Sequence, residues 1–275
     1  MAAEQGKRRT VEEEFTHQAG AFARADVFRA ADTLDALVER LGPQRDQTWC
    51  DVACGPGIVA CALAKRVRRV VGVDCTPAML AAAAAEAGRQ GIDNAAWLAG
   101  DALNLPLSQD ACDGAVSRFA LHHLTDPLAA VREMARIVKP GGKLAVADQC
   151  TDDRPETADW HQRIERWRDP SHESCLTPSG ILALGAAAGL ERVVWDQRPL
   201  ELDYEEWLTR GSGGPGRRQD IAALLASPPP GAERIFARQG DRLRLLQVIV
   251  VWRRPDPSAA QPTQPPTQPP KEERP

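Results

Sequence analysis

The stretch Trp49-Cys50-Asp51-Val52-Ala53-Cys54-Gly55-Pro56-Gly57 passes from strand-like to glycine-punctuated to helix-like in one short run, and few folds accept such a switch. Thr48 to Val52 has the character of a buried strand end. Beyond the glycines, Val59, Leu63 and Val67 recur near helical spacing, which predicts a helix over 58–66. Glycine lets a ligand lie against bare backbone, and a new helix turns its unpaired N–H groups toward that ligand. The run lacks G-x-x-x-x-G-K-[ST], and its G-x-G has no third glycine three residues on, which disfavours a pyrophosphate site.

The same alternation continues downstream. Val70 to Asp74 reads as a second buried strand ending in an acid, and a carboxylate, being acceptor-only, can hold two vicinal hydroxyls at once. A third strand around 96–98 leads into Gly100-Asp101-Ala102. A fourth, Cys112 to Ser117, precedes Arg118-Phe119-Ala120-Leu121-His122-His123, and a helix end and turn over 138–143 precede a fifth strand, Leu144 to Asp148. Thr76-Pro77, Asp126-Pro127 and Thr177-Pro178 each set a capping oxygen before a proline at a first helical position. Strand and helix alternating in this way imply a parallel sheet with helices on both faces and ligands at the carboxyl ends of the strands. Gly55, Asp74, Asp101, Ser117 and Asp148 then fall along one edge.

Asp51-x-Ala53-Cys54-Gly55-Pro56-Gly57, with these further stretches in the right order and at the right distances, resembles the class I S-adenosylmethionine-dependent methyltransferases. The likeness covers roughly residues 15 to 200 and is nearest the small-molecule, quinone-biosynthesis-like branch, methyltransferase type 11. It implies an α/β, Rossmann-like, doubly wound sheet of seven strands, mostly parallel, whose last two strands form an antiparallel hairpin at one edge. It also implies S-adenosyl-L-methionine as the cofactor, with Asp74 on the ribose hydroxyls and Asp101 near the adenine amine. The cofactor set is completed by Asp51, Ala53, Cys54, Gly55, Gly57, Cys75, Met79, Gly100, Ala102, Ser117, Arg118 and His122. Asp51 reads as an orienting residue for the turn. Phe15, Gln18 and Phe22 resemble an N-terminal lid over the methionine end; the alternative is an amphipathic helix packing its aromatics on the sheet.

Methyl transfer from a sulfonium needs mainly an acceptor atom held opposite the methyl, plus a base when that acceptor carries a proton. The candidate bases are His122, His123 and Asp148. Adjacent loop residues rarely face the same way, so one histidine of the pair is expected to meet the pocket while the other packs behind it. The alternative is that both only orient backbone near the cofactor. Arg118, His123, His161 and His172 are the candidate substrate contacts, against salt-bridge or packing roles for the same side chains. A cyclisation, rearrangement or elimination on the same scaffold, or a cofactor-binding protein without activity, are the competing readings.

A net charge of −4 and a pI near 5.8 give no basic footprint for nucleic acid. The run Lys65 to Arg69 reads as a solvated loop. Seven cysteines without metal spacing argue against a metal site and for a reducing compartment, as small buried packing residues, with Cys54 close enough to the cofactor to be alkylation-sensitive. Neither a signal core nor a membrane-length apolar run occurs, which points to a cytoplasmic monomer or homodimer acting on a small molecule, with no membrane partner. The expected organisation is an N-terminal helical lid over 1–43, a core over 44–254 with a lid insertion around 152–178, and a Pro-rich disordered tail over 255–275. Past the fifth strand, helices are expected over 156–168 and 181–188, and strands over 192–202, interrupted by a proline, and over 243–252. The run 211–216 reads as a flexible glycine loop and 228–230 as a stiff turn.

Overall fold

The computed structural model describes residues 10–22 and 31–259. Helices α1 (Val11–Phe22) and α2 (Ala31–Leu41) precede β1 (Thr48–Val52), α3 (Ile58–Ala64), β2 (Arg69–Asp74), α4 (Pro77–Arg89) and β3 (Ala95–Ala99). There follow β4 (Cys112–Arg118), α5 (Pro127–Ile137), β5 (Val138–Gln149), α6 (Pro155–Arg168), α7 (Pro178–Ala187) and β6 (Glu191–Asp203). The chain closes with α8 (Tyr204–Arg210), α9 (Arg218–Ala226), β7 (Phe236–Gln239) and β8 (Arg242–Arg253). Residues 1–9 and 23–30 of the expected lid and 260–275 of the expected tail lie outside the described residues.

The sheet runs β3-β2-β1-β4-β5-β8-β6, with β7 paired to β8. The first five strands in that order are mutually parallel, whereas β8 is antiparallel to β5, β6 and β7. The Rossmann-like, mostly parallel sheet expected from the sequence is therefore present, with eight strands instead of seven. The short β7 has only four residues, too few for a periodicity to show. The closing strand β8 is not at the edge: it lies between β5 and β6, and β6 is the edge strand. That position tolerates Pro199, which sits in register with Leu246 without interrupting the strand.

Side chains alternate across the sheet, giving two apolar layers. Trp49, Val116 and Ala145 join Leu37, Leu41, Val59 and Leu63 on the face covered by α2 and α3. Their sequence neighbours Cys50, Ala115 and Leu144 join Met134 and Ile137 of α5 on the other. A third cluster, built from Trp160, Ile164, Tyr204, Trp207, Phe236 and Leu243, adds a small subdomain around the first half of β8.

Two of the three Pro-preceded helix starts are capped as expected: Asp126 accepts from Ala129 N at 2.9 Å and Thr177 from Gly180 N at 3.0 Å. Thr76 makes no such bond; its backbone N–H and its hydroxyl both turn to Asp74. The glycine run 211–216 is not a loose loop. A Cβ on Gly211 would lie 2.2 Å from Arg168 O and one on Gly214 1.9 Å from Leu208 O, so these glycines permit close backbone packing. The seven cysteines are free thiols, and Cys75 is exposed where a packing residue was expected. Among the described residues no helix is long and apolar enough to cross a membrane.

Candidate active site

The turn after β1 is held by three left-handed residues, Ala53 (φ 53°), Gly55 (φ 51°) and Gly57 (φ 76°). Asp51 Oδ2 accepts from Ala60 N at 2.8 Å and thereby fastens the strand end to the first turn of α3. The two glycines serve different ends. A Cβ on Gly55 would meet nothing, because it projects into a cavity; one on Gly57 would lie 2.7 Å from the Trp97 ring and 2.9 Å from Ala83 Cβ. Gly57 is thus a packing requirement and does not line the cavity, although the turn pattern grouped it with Gly55.

Asp74, at the end of β2, receives Gly55 N on Oδ2 at 2.8 Å and Thr76 N on Oδ1 at 2.9 Å. Burial raises its pKa, against the two N–H groups and the Thr76 hydroxyl, which favour the charged form. Asp51 is shifted further, up to about 7, by burial and by the neighbouring Asp74, with Ala60 N–H and Arg118 opposing. After β3, Gly100 N donates to Asp74 O at 3.1 Å, so the acid-bearing turns of β2 and β3 are bonded to one another. Asp101 is exposed at the rim and caps its own turn through Leu103 N at 2.9 Å.

These turns open on one cavity. Asp51, Ala53, Cys54, Gly55, Asp74 and Cys75 line its first half with Met79, Gly100, Asp101 and Ala102. Its second half is apolar and aromatic, formed by Phe15 and Phe22 of α1 with Phe119, Ala120 and Leu124 after β4. Arg118 lies between the halves, its guanidinium 4.9 Å from the Phe119 ring centre. Burial lowers its pKa to about 10, with Asp51 opposing and Arg198 adding to the shift. Ala53 and Phe119 both hold positive φ for non-glycine residues, and both border the cavity; such strain persists where surrounding structure enforces it and is concentrated at functional sites.

The histidine pair divides as the alternation of neighbours suggests. His123 lines the cavity, edge-on to Phe15 with ring centres 4.8 Å apart. His122 is turned away, with Nδ1 2.6 Å from Asp148 Oδ1. Burial alone disfavours its protonation, but the charge and hydrogen bond of Asp148, helped by Glu165 and Asp169, leave its pKa raised. Asp148 also accepts from Gln149 N at 2.8 Å, so its carboxylate is committed to structure and does not reach the cavity lining. Ser117, next to the carboxyl end of β4, is buried in register with Val146 and is not part of the cavity lining.

His161 and His172 do not reach the cavity either. His172 Nε2 lies 2.6 Å from Gln162 Oε1, and burial, against Glu165, presses its pKa down to about 2. His161 stacks on Phe236 in the added subdomain, ring centres 4.6 Å apart. Gln18 is likewise no part of the lining: its Nε2 donates to Asp169 Oδ2 and to Glu14 Oε1, each at 2.8 Å. It straps α1 down while Phe15 and Phe22 face the cavity. Sequence reasoning missed Val11, Ile58, Phe119 and Leu124 of the lining. Val11 lies one helical turn before Phe15, a signal that was there to use.

The donor set of the first half has the chemistry S-adenosylmethionine would need: carboxylates at the ends of β1 and β2, an open position at Gly55, and apolar lining from Ile58, Met79 and Ala102 would suit an ammonium, a diol and a purine face. Among the described residues no three His, Cys, Asp or Glu side chains are grouped to hold a metal ion.

Comparison with known proteins bears on this geometry. A family model described as a methyltransferase domain matches residues 50–146. The uncharacterized methyltransferase YcgJ of Bacillus subtilis is 29% identical over 78% of this chain and 85% of its own length. Its crystal structure superposes with a TM-score of 0.76, covering 82% of this chain and 99% of that one. The uncharacterized protein YafE of Escherichia coli is 32% identical over 68% of this chain and 91% of its own. The demethylmenaquinone methyltransferase of Corynebacterium kroppenstedtii is 39% identical over 44% of this chain and 50% of its own.

Proposed function

This chain, 33% identical to a methyltransferase of Thermosynechococcus vestitus over 73% of that protein's length, belongs to the methyltransferase-domain family, and we propose that it uses S-adenosylmethionine to methylate a small apolar acceptor bearing an ionisable O–H or C–H group. The observation that carries the reading is one cavity with two chemistries: a polar half at the ends of β1, β2 and β3, and an aromatic half closed by α1 and the segment after β4.

In this reading Asp74 holds the ribose hydroxyls through the lone pairs left after its two backbone bonds, Asp101 meets the adenine amine, and Gly55 admits the methionine end. Asp51 sets the turn. S-adenosylmethionine supplies an electrophilic methyl: the acceptor's electron pair forms the new bond and the carbon–sulfur pair stays on sulfur. The chain's own contribution is to position the acceptor, exclude water with Phe15, Phe22 and Phe119, and receive a proton. Within the expected lid, α1 covers the cavity of a core spanning 44–254, and the expected insertion 152–178 backs that cavity through Ser171 against His123. The aromatic half supports a small apolar acceptor, and the net charge of −4 argues against a polyanion.

Calorimetric titration with S-adenosylmethionine and S-adenosylhomocysteine tests the cofactor assignment, and folded protein that binds neither overturns it. Release of S-adenosylhomocysteine on turnover, with a product 14 mass units heavier than the acceptor (about one CH₂), then separates methyl transfer from a rearrangement.

A further inference from the structure

We propose that Ser171 and Asp169 are positioning residues that lock His123 in its Nδ1–H tautomer, so that Nε2 presents its electron pair as the proton acceptor in the aromatic half of the cavity. The catalytic consequence rests on the methyl-transfer reading; the tautomer is set by this chain alone.

The argument counts protons. Ser171 has one hydroxyl hydrogen, and its Oγ lies 2.6 Å from Asp169 Oδ1, which as a carboxylate oxygen only accepts. That bond takes the hydrogen. Ser171 Oγ therefore meets His123 Nδ1, 3.1 Å away, as an acceptor. The other atom near that nitrogen is the Ser171 carbonyl oxygen at 3.3 Å, and it too only accepts. With acceptors alone in front of it, Nδ1 carries the proton, and in the neutral ring Nε2 is then bare. Among the described residues Nε2 has no hydrogen-bond partner, and it is absent from the fully enclosed unpaired atoms, while the ring lines the cavity.

The surroundings keep the ring neutral. Burial presses the pKa of His123 down to about 4, and His122 and Arg168 add to this against Asp169 and the Ser171 carbonyl. The groups facing the ring are His122 with its partner Asp148, Asp169 and Arg168 at the end of α6, His172 with ring centres 6.2 Å away, and the Phe15 edge from α1. Asp169 is itself fixed on both oxygens: Ser171 N reaches Oδ1 at 3.0 Å and Gln18 Nε2 reaches Oδ2 at 2.8 Å. The helix that closes the cavity with Phe15 therefore also holds the far end of the relay.

The proton balance is simple. As the acceptor oxygen bonds to the methyl, its hydrogen passes to His123 Nε2, the carbon–sulfur pair remains on sulfur, and the positive charge moves from sulfonium to imidazolium. The imidazolium then returns its proton to water.

The test uses the full chain with ¹⁵N-labelled histidine and two-bond proton–nitrogen correlation spectra, which distinguish the tautomers; loss of a signal in His123→Gln assigns it among five histidines. Expected at neutral pH is a single Nδ1–H form of His123 with a slowly exchanging Nδ1 proton. Ser171→Ala, with unchanged far-ultraviolet dichroism, is expected to give a mixture of tautomers, and Ser171→Thr to restore the single form. A proton on Nε2 in the unmodified chain, or no change in Ser171→Ala, overturns the proposal. Should Ser171→Ala not fold, protection of the Nδ1 proton in the unmodified chain decides the matter alone. Calorimetry on the same samples keeps the two readings apart: the stated tautomer without cofactor binding sinks methyl transfer only, and binding with the opposite tautomer sinks this inference only.

Discussion

Gly55 donates its backbone N–H to Asp74 Oδ2 at 2.8 Å, so the glycine turn after β1 and the acid that ends β2 form one hydrogen-bonded unit. The carboxylate fixes the shape of the turn before any ligand arrives, and the geometry of the turn fixes where the carboxylate points. Preorganisation of this kind lowers the ordering cost of binding.

Asp74→Ala removes ligand contacts and the acceptor of two backbone donors together. Each lost bond costs about 1 to 3 kcal/mol where the donor stays buried. We expect S-adenosylhomocysteine affinity to fall roughly ten- to hundred-fold, read by calorimetry, with a lower denaturation midpoint. Undiminished affinity contradicts the assignment.

The two glycines of the turn should separate. Gly57→Ala forces a methyl to within 2.7 Å of Trp97 and 2.9 Å of Ala83, and overpacking of that kind costs about 1 to 3 kcal/mol. Gly55→Ala meets no protein atom and carries only the left-handed backbone cost of about 1 to 2 kcal/mol. Urea unfolding should show Gly57→Ala as the less stable variant, while calorimetry should show Gly55→Ala as the poorer binder for its remaining stability. The reverse order contradicts the division of roles.

Asp51 predicts a pH dependence of stability. Its folded pKa, about 7, lies above the ordinary value of 3.8, so the folded state holds a proton that the unfolded chain has released, and stability from this group falls as pH rises through that window. Asp51→Asn retains an oxygen for Ala60 N and cannot ionise. Its melting temperature relative to the unmodified chain should therefore be higher at pH 8 than at pH 5. A difference that does not change with pH would show that Asp51 is not the group concerned.

Thiol mapping should overturn one sequence expectation. Cys54 is buried, and burial together with Asp51 and Asp74 raises its pKa well above normal, so little thiolate exists. Cys75 is exposed and lines the cavity. Iodoacetamide at pH 8 should modify Cys75 first, more slowly with S-adenosylhomocysteine present, and leave Cys54 intact. Early labelling of Cys54 would contradict this packing.

What was legible in the chain was whatever a short run of residues decides. The strand, glycine turn and acid at 48–57 and 69–74, and the caps at Asp126 and Thr177, are local, and both β-periodicity and helix capping leave marks in sequence. The division of His122 from His123 also followed from their adjacency. The rest depends on partners far along the chain. Nothing near Gln18 announces Asp169, 151 residues away. Ser171 has no motif, and Gly211 and Gly214 look like linker residues until the backbone of Arg168 and Leu208 is laid against them. Asp148 carries the right chemistry at the right strand end, yet its oxygens are taken by His122 and Gln149 N. A sequence shows which groups are present, whereas tertiary packing decides which of them remain unspent.

The placement of β8 sets an order on the birth of the fold. Arg242–Arg253 pairs with β5, β6 and β7 at once, and it leaves the ribosome after every other strand of the described residues. Until it emerges, β5 presents an open edge and β6 has no neighbour on which to dock. The parallel half of the sheet can assemble during synthesis, but the added subdomain must wait for β8. Unpaired edges of that sort attract other chains, so nascent chains held on the ribosome before β8 has cleared the exit tunnel should recruit chaperones, and released chains with β8 paired should not.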